Sequence, residues 1–101
     1  MDHSPTWYVL SHSPGPAVAA ADSVFEHPGI QEHYAFLQRR LAAGELVAAG
    51  PLQDGRGEGM TVLDVASLDE AERLATQDDQ AVVTGVLSVR VRPWAVLMAR
   101  G

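Results

Sequence analysis

The sequence contains no cysteine and no lysine, and these absences exclude several kinds of site. Without cysteine there is no disulfide, no thiolate nucleophile and no sulfur ligand for a metal ion. Without lysine there is no side-chain amine that could act as a nucleophile. The seven basic residues are all arginines, and the formal charge is −6 at pH 7. A chain with this acidic balance and no basic patch is not expected to bind nucleic acid.

Long apolar runs are also missing, so no segment is expected to span a membrane. The first residues, Met1-Asp2-His3-Ser4-Pro5, lack the positive charge and the apolar run of a signal peptide. We therefore expect a cytoplasmic protein with no membrane partner. The length of 101 residues and a hydrophobic content of 47% are typical of one globular domain, over residues 1–101.

Hydrophobic periodicity and turn residues predict the element order β-α-β-β-α-β. This order is typical of the ferredoxin-like α+β fold, with a four-stranded antiparallel sheet. The helices are predicted at about 30–43 and from 68 to near 77, and the strands at 6–12, 46–49, 60–66 and 86–94.

Local signals add detail to this outline. Ser67 and Glu70 form a capping box at the start of the second helix, where Asp69 and Arg73 are spaced as an i,i+4 ion pair. The long connection over residues 13–28 is expected to be a functional lid, a ligand wall or a mobile loop. The glycine-rich loop before the third strand is expected to be a flexible turn, because a phosphate cradle would precede a helix.

Two helices cover only one face of a four-stranded sheet. The opposite face still carries apolar residues, and such a face is normally covered by another chain. We therefore expect a homodimer that is formed through this second face.

A histidine lies within the apolar face of the first predicted helix. Ile30, Tyr34, Leu37 and Leu41 have the spacing of a buried helical face, and His33 lies on that face. A buried face excludes a titratable ring unless a partner forms a hydrogen bond with it. His33 is therefore either a hydrogen-bonded core residue or part of a cleft.

Segments along nearly the whole chain resemble the YciI-like (YCII-related) family. The matching segments are HSPGP at 12–16, HPGI at 27–30 followed by Glu32-His33, GELV at 44–47, GP at 50–51, Gly59-Met60, SLDEA at 67–71, Asp79, and VRPW at 91–94. The resemblance implies a dimeric α+β barrel of ferredoxin-like subunits, related in fold to muconolactone isomerase. It also implies a cleft in which His33 meets Asp79.

The resemblance leaves the reaction open. Most members of the family have no known activity, and a dehydrochlorinase of aromatic degradation is among those with an assigned reaction. The chain also departs from the family, because Gln80 follows Asp79 where proline is usual. Proline would fix the turn that aims the aspartate, so its loss makes Asp78 an alternative partner for His33. In addition, Ile30 occupies a place where some members have an arginine.

A histidine paired with an aspartate is a general acid/base unit, because the carboxylate fixes the tautomer and stabilises the imidazolium. The chain offers no convincing nucleophile, so proton-transfer chemistry is the natural class: isomerisation, dehydration or elimination. The expected substrate is a small organic acid, an aromatic compound or a secondary metabolite, handled without a cofactor. The alternative is a non-catalytic dimeric module that binds a small molecule.

Four further residues are candidates for substrate binding: His12, Tyr34, Arg92 and Trp94. His12 ends the first predicted strand beside Tyr8 and Leu10 on one side of it, where it either faces the cleft or caps a turn. Tyr34 is either a hydrogen-bond donor or a core aromatic, and Arg92, like Arg90, either holds an anion or lies on a solvated strand face. His27 is expected to be a loop residue. No metal is expected, because no two histidines have i,i+4 spacing on a helix.

Overall fold

The computed structural model describes residues 5–101, in which four strands form one antiparallel sheet in the order β2-β3-β1-β4. The strand order, the antiparallel pairing and the helices between the strands confirm the predicted ferredoxin-like α+β fold. The strands are β1 (Thr6–Pro14), β2 (Leu46–Pro51), β3 (Gly59–Leu63) and β4 (Leu87–Ala95).

Three α-helices pack on one face of this sheet. They are α1 (Ile30–Ala42), α2 (Leu68–Arg73) and α3 (Gln80–Val83), with a short 3₁₀ turn at Val24–Glu26 and a π-helical turn at Leu74–Asp78. None of the helices within residues 5–101 is long and apolar enough to cross a membrane.

The ends of the strands differ slightly from those predicted. β2 continues through Gly50 and Pro51, which is possible because β2 is an edge strand and the missing N–H of proline faces away from the sheet. β3 ends at Leu63, before the predicted end at Ala66, because the chain must leave the sheet to place Ser67 at the start of α2.

The start of α2 is fixed by its cap. The backbone N–H of Glu70 donates to Oγ of Ser67 at 3.1 Å, which confirms the predicted N-cap. The predicted ion pair between Asp69 and Arg73 is wrong, because Arg73 binds Glu70, one residue nearer in the sequence, instead.

The buried face of α1 is rotated relative to the prediction. Ile30, His33 and Phe36 are buried, whereas Tyr34 and Leu41 are 41% and 64% exposed. The buried positions repeat every three residues, so Phe36 rather than Tyr34 packs over the sheet. The assignment of Tyr34 and Leu41 to the core was therefore wrong. The rotation places His33 at the centre of the buried face.

Alternation along β1 divides its side chains between the two faces of the sheet. Tyr8, Leu10 and His12 are buried beneath the helices, as predicted, and His12 ends this row. Trp7 and Val9 point to the opposite face. On that face the ring of Trp7 meets the ring of Trp94 edge-to-face, with centroids 5.9 Å apart.

We predict that Gly15→Ala destabilises the protein. The backbone N–H of Gly15 donates to the carbonyl of Val86, and an added Cβ would overlap the carbonyl oxygen of Gly85. Overpacking of this kind typically costs about 1–3 kcal/mol in the free energy of unfolding, measurable by urea denaturation. Gly50→Ala is the matched control, since an added Cβ there meets no atom within 4 Å. Equal losses in both variants would contradict the close contact at Gly15.

Candidate active site

His33 and Asp79 are in direct contact beneath the surface of the molecule. Nδ1 of His33 lies 2.6 Å from Oδ2 of Asp79, and Asp79 is completely buried. This distance confirms the predicted proximity of the two side chains. The second carboxylate oxygen of Asp79 accepts a hydrogen bond from the backbone N–H of Ala81 at 3.0 Å.

The partners of Asp79 determine the tautomer of His33. An ionised carboxylate can only accept hydrogen bonds, so Nδ1 of His33 carries a proton and donates it to Asp79. Nε2 of the neutral ring is then left without a proton. This nitrogen is the atom of the pair that can accept a proton from another molecule.

The turn that carries Asp79 is held by the backbone on both sides. After the π-helical turn, the N–H of Asp79 donates to the carbonyl of Leu74, and Asp79 is itself the N-cap of α3. Gln80 is the first residue of α3, the position that proline favours at the start of a helix. Because the Asp79 side chain caps α3, the carboxylate remains aimed at His33 although Gln80 replaces proline.

Asp78 has other partners. Its carboxylate contacts Arg39 at 3.2 Å and Arg40 at 3.5 Å, and both arginines lie on α1. Its backbone carbonyl also accepts a hydrogen bond from Arg39. The alternative in which Asp78 is the partner of His33 is therefore wrong, and these contacts instead fix the end of the π-helical turn against α1.

His12 lies against His33 and extends the polar cluster. The two rings meet edge-to-face with centroids 4.6 Å apart, and His12 is only 4% exposed. Nε2 of His12 lies 3.2 Å from Oγ1 of Thr61, while its Nδ1 is buried with no hydrogen-bond partner among the described residues. His12 thus faces the cleft, and the turn-capping alternative does not describe its contacts.

Thr61 is a site residue that the sequence analysis missed. It is buried on β3, on the same face as Leu63, where the strand carries apolar residues into the core. A polar side chain at an inward position of a strand needs a partner. The sequence therefore indicated that Thr61 needs a hydrogen-bond partner, although it did not identify His12 as that partner.

Burial keeps His12 uncharged. The pKa of His12 is lowered from 6.5 to about 4, mainly by loss of hydration and also by the neighbouring His33, while Asp79 acts in the opposite direction. His12 is therefore neutral at physiological pH. Beside a histidine that accepts protons, it acts as an uncharged neighbour that does not compete for them.

His12 and His33 both line a small pocket of about 60 Å³ that opens to solvent. Val24 and Phe25, which belong to the connection over residues 13–28, form part of its wall, and the role of this connection as a ligand wall stays a prediction. Tyr34 also lines the pocket, and its exposure places it toward the mouth. The remaining lining residues come from α1, from the loop before β3 and from strand ends: Ile30, Leu37, Gly50, Pro51, Gly57, Glu58, Gly59, Met60 and Leu87.

Arg92 and Trp94 are not brought to this pocket. In the sheet, Arg92 is opposite Val9 and Trp94 is opposite Trp7, so both residues lie on the face away from the helices. They line a separate groove on that face, and their role in substrate binding stays a prediction. His27 also lies outside the pocket. Its Nδ1 accepts a hydrogen bond from the backbone N–H of Gly29, which is consistent with the predicted loop residue.

The cluster offers atoms that a metal ion could use, and those of Asp79 already have hydrogen-bond partners. Possible ligand atoms of His12, His33 and Asp79 lie within 4.8 Å of one another. A metal ion held by Asp79 would compete with its hydrogen bonds to His33 and Ala81. The arrangement therefore favours acid/base use of the pair, and the expectation of no metal stays a prediction.

The model of the YCII-related domain family matches residues 6–95, a span that includes all four strands and the His33–Asp79 pair. The chain belongs to this family. No curated protein matches the sequence. The family match therefore establishes the kind of domain and leaves the reaction of this YCII-related domain open.

We predict that His12 makes the stability of this YCII-related domain depend on pH. The pKa of His12 is about 4 in the folded protein against 6.5 as its ordinary value, so the unfolded chain takes up the proton first as pH falls. The free energy of unfolding should fall between pH 6.5 and 4, with a contribution from His12 of roughly 3 kcal/mol. His12→Gln should remove that contribution in urea denaturation at several pH values. Parallel curves for the two proteins would contradict it.

Proposed function

We propose that this YCII-related domain is a small cofactor-free enzyme that transfers protons on a small-molecule substrate. One observation carries the proposal: Nδ1 of His33 is bound to a completely buried carboxylate while the same ring lines a pocket that opens to solvent. A base that is oriented in this way is one component of general acid/base catalysis.

The proposed step begins when Nε2 of His33 accepts a proton from a substrate C–H or O–H bond. The imidazolium that forms is stabilised by Asp79, which remains ionised at 2.6 Å. In an isomerisation the electron pair shifts along the substrate, and the same proton returns to a different atom. In a dehydration or elimination the electron pair forms a double bond, and the leaving group departs with the electrons of its own bond.

His12 and Tyr34 have supporting roles in this proposal. His12 lines the pocket beside His33 and contributes an uncharged ring to its wall. Tyr34 is half-exposed and lines the pocket, so its hydroxyl can contact the part of the substrate that lies nearer to solvent. Neither residue needs to change its charge during the reaction.

The second candidate is a non-catalytic module that binds a small molecule. The low exposure of His33, 9% for the whole residue, favours this candidate because a base must reach its substrate. In that case the His33–Asp79 pair holds α1 against the start of α3, and the pocket is a binding site without turnover.

We also propose that the domain forms a homodimer through the sheet face away from the helices. Trp7, Val9 and Trp94 lie on this face, and Trp94 is 42% exposed. A monomer would leave this apolar surface in water. A second copy of the same face would cover it and would produce the α+β barrel that the resemblance implies.

The proton-transfer proposal can be tested without a known substrate. Simple ketones, lactones and enols are incubated with the protein in D₂O, and deuterium incorporation at carbon is followed by NMR. We predict catalysed exchange into at least one of these compounds, and a loss of about 10²–10⁴-fold in its rate for His33→Gln. Asp79→Asn should reduce the exchange rate by as much or by less, because the imidazole ring of His33 remains but its tautomer and charge balance change.

The matched control for this test is His27→Gln, which removes a histidine outside the pocket. This variant should retain the wild-type rate of exchange. If His33→Gln keeps the wild-type rate but loses several kcal/mol of stability in urea denaturation, the proton-transfer proposal is wrong and the binding module is the better account.

The dimer is tested by light scattering at micromolar concentration. We predict a mass of about twice the 10.8 kDa of the chain. Val9→Arg should reduce the mass to that of one chain, since a buried guanidinium at the centre of the proposed interface would have no partner. Leu41→Arg is the control, because Leu41 is exposed on α1. A wild-type protein that scatters as a monomer would refute the dimer.

A further inference from the structure

We infer that the pocket beside His33 selects uncharged ligands with an apolar body and rejects carboxylates. The inference narrows the substrate class, which the sequence left as an organic acid, an aromatic compound or a secondary metabolite. It rests on the proposed function in one respect: both take this pocket as the substrate site.

The first support is the charge of the pocket lining. Of the residues that line the pocket, the only one with a permanently charged side chain is Glu58, which is negative. Glu58 lies in the loop before β3 and is exposed at the rim. A carboxylate inside the pocket would therefore meet a like charge and no cation among the lining residues, since Arg56 lines only the adjacent groove.

The second support is the position of the arginines, which are the only basic side chains of the chain apart from the histidines. Arg39, Arg40 and Arg73 are bound to acidic side chains on or beside the helices. Arg90 lines a separate groove that also includes His12 and Glu58, but its register opposite Ser11 places it on the sheet face away from the helices. No arginine lines the pocket beside His33.

The third support is the charge of the histidine cluster itself. The neutral form of His33 is bound to an ionised Asp79, so the pair carries one negative charge before it accepts a proton. His12 adds no positive charge, because burial lowers its pKa to about 4. An anionic ligand would bring a second negative charge into contact with this pair.

The apolar wall adds a penalty for losing hydration. Val24, Phe25, Ile30 and Leu37 line the pocket, and none of their side chains can form a hydrogen bond. Loss of hydration beside such a wall costs a carboxylate several kcal/mol in free energy unless hydrogen bonds replace the water. An uncharged carbonyl or hydroxyl group loses much less.

The test compares benzamide with benzoate, which have the same shape and differ in charge at neutral pH. Amide peaks of Gly57 and Gly59, which line the pocket, are followed during NMR titration. Benzamide should cause saturable shifts, and benzoate should bind at least about tenfold more weakly. Phe25→Arg should raise the affinity for benzoate by about tenfold, whereas Leu41→Arg, which adds the same charge outside the pocket, should not.

Two outcomes would overturn the inference. In the first, benzoate binds as tightly as benzamide, and loss of that binding in Arg90→Gln then assigns an anion site in the groove that contains Arg90. Alternatively, neither compound shifts the two glycine peaks, and the pocket does not take such ligands.

The test is independent of catalysis. In His33→Gln the preference for benzamide should persist although proton exchange is lost. A preference for uncharged ligands in a protein that catalyses no exchange would therefore refute the proposed enzyme and retain the inference. Catalysed exchange together with equal binding of benzamide and benzoate would refute the inference and retain the proposed enzyme.

Discussion

The buried carboxylate of Asp79 is the constraint on which the rest of the site depends. A carboxylate that is removed from water is stable only when hydrogen bonds replace its hydration. His33 supplies one bond from α1, and the backbone of Ala81 supplies another from the start of α3. Because these donors belong to different elements, the carboxylate joins the first helix to the last one and fixes the orientation of the imidazole ring at the same time.

The sheet determines which other side chains can reach this pair. Alternation along β1 places His12 at the end of the buried row, next to His33, and β3 supplies Thr61 as its partner. The same alternation sends Trp7 and Trp94 to the opposite face. The polar cluster therefore lies on one face of the sheet, and Arg92, which shares the other face with Trp7 and Trp94, does not reach it.

The order of the elements and the His33–Asp79 contact could be predicted, because strand alternation, turn residues and the family motifs all indicated them. The rotation of α1 could not. Several apolar faces are possible on a helix of this length, and only packing on the sheet selects the face that contains Phe36. The π-helical turn before Asp79 could not be predicted either, since its backbone geometry is held by tertiary contacts such as that between Asp78 and Arg39.

The charges of the site connect the proposed proton transfer with the proposed ligand selection. When His33 takes a proton from an uncharged ligand, the pair with Asp79 becomes neutral and the ligand becomes negative, so the total charge of the pocket does not change. With an anionic ligand, the same step would leave two negative charges on a ligand that no arginine contacts. The neutral ring of His12 adds no charge in either case. An apolar pocket with a single oriented base is thus suited to the proposed transfer of a proton within an uncharged molecule, where no charge beyond that of the pair has to be buried.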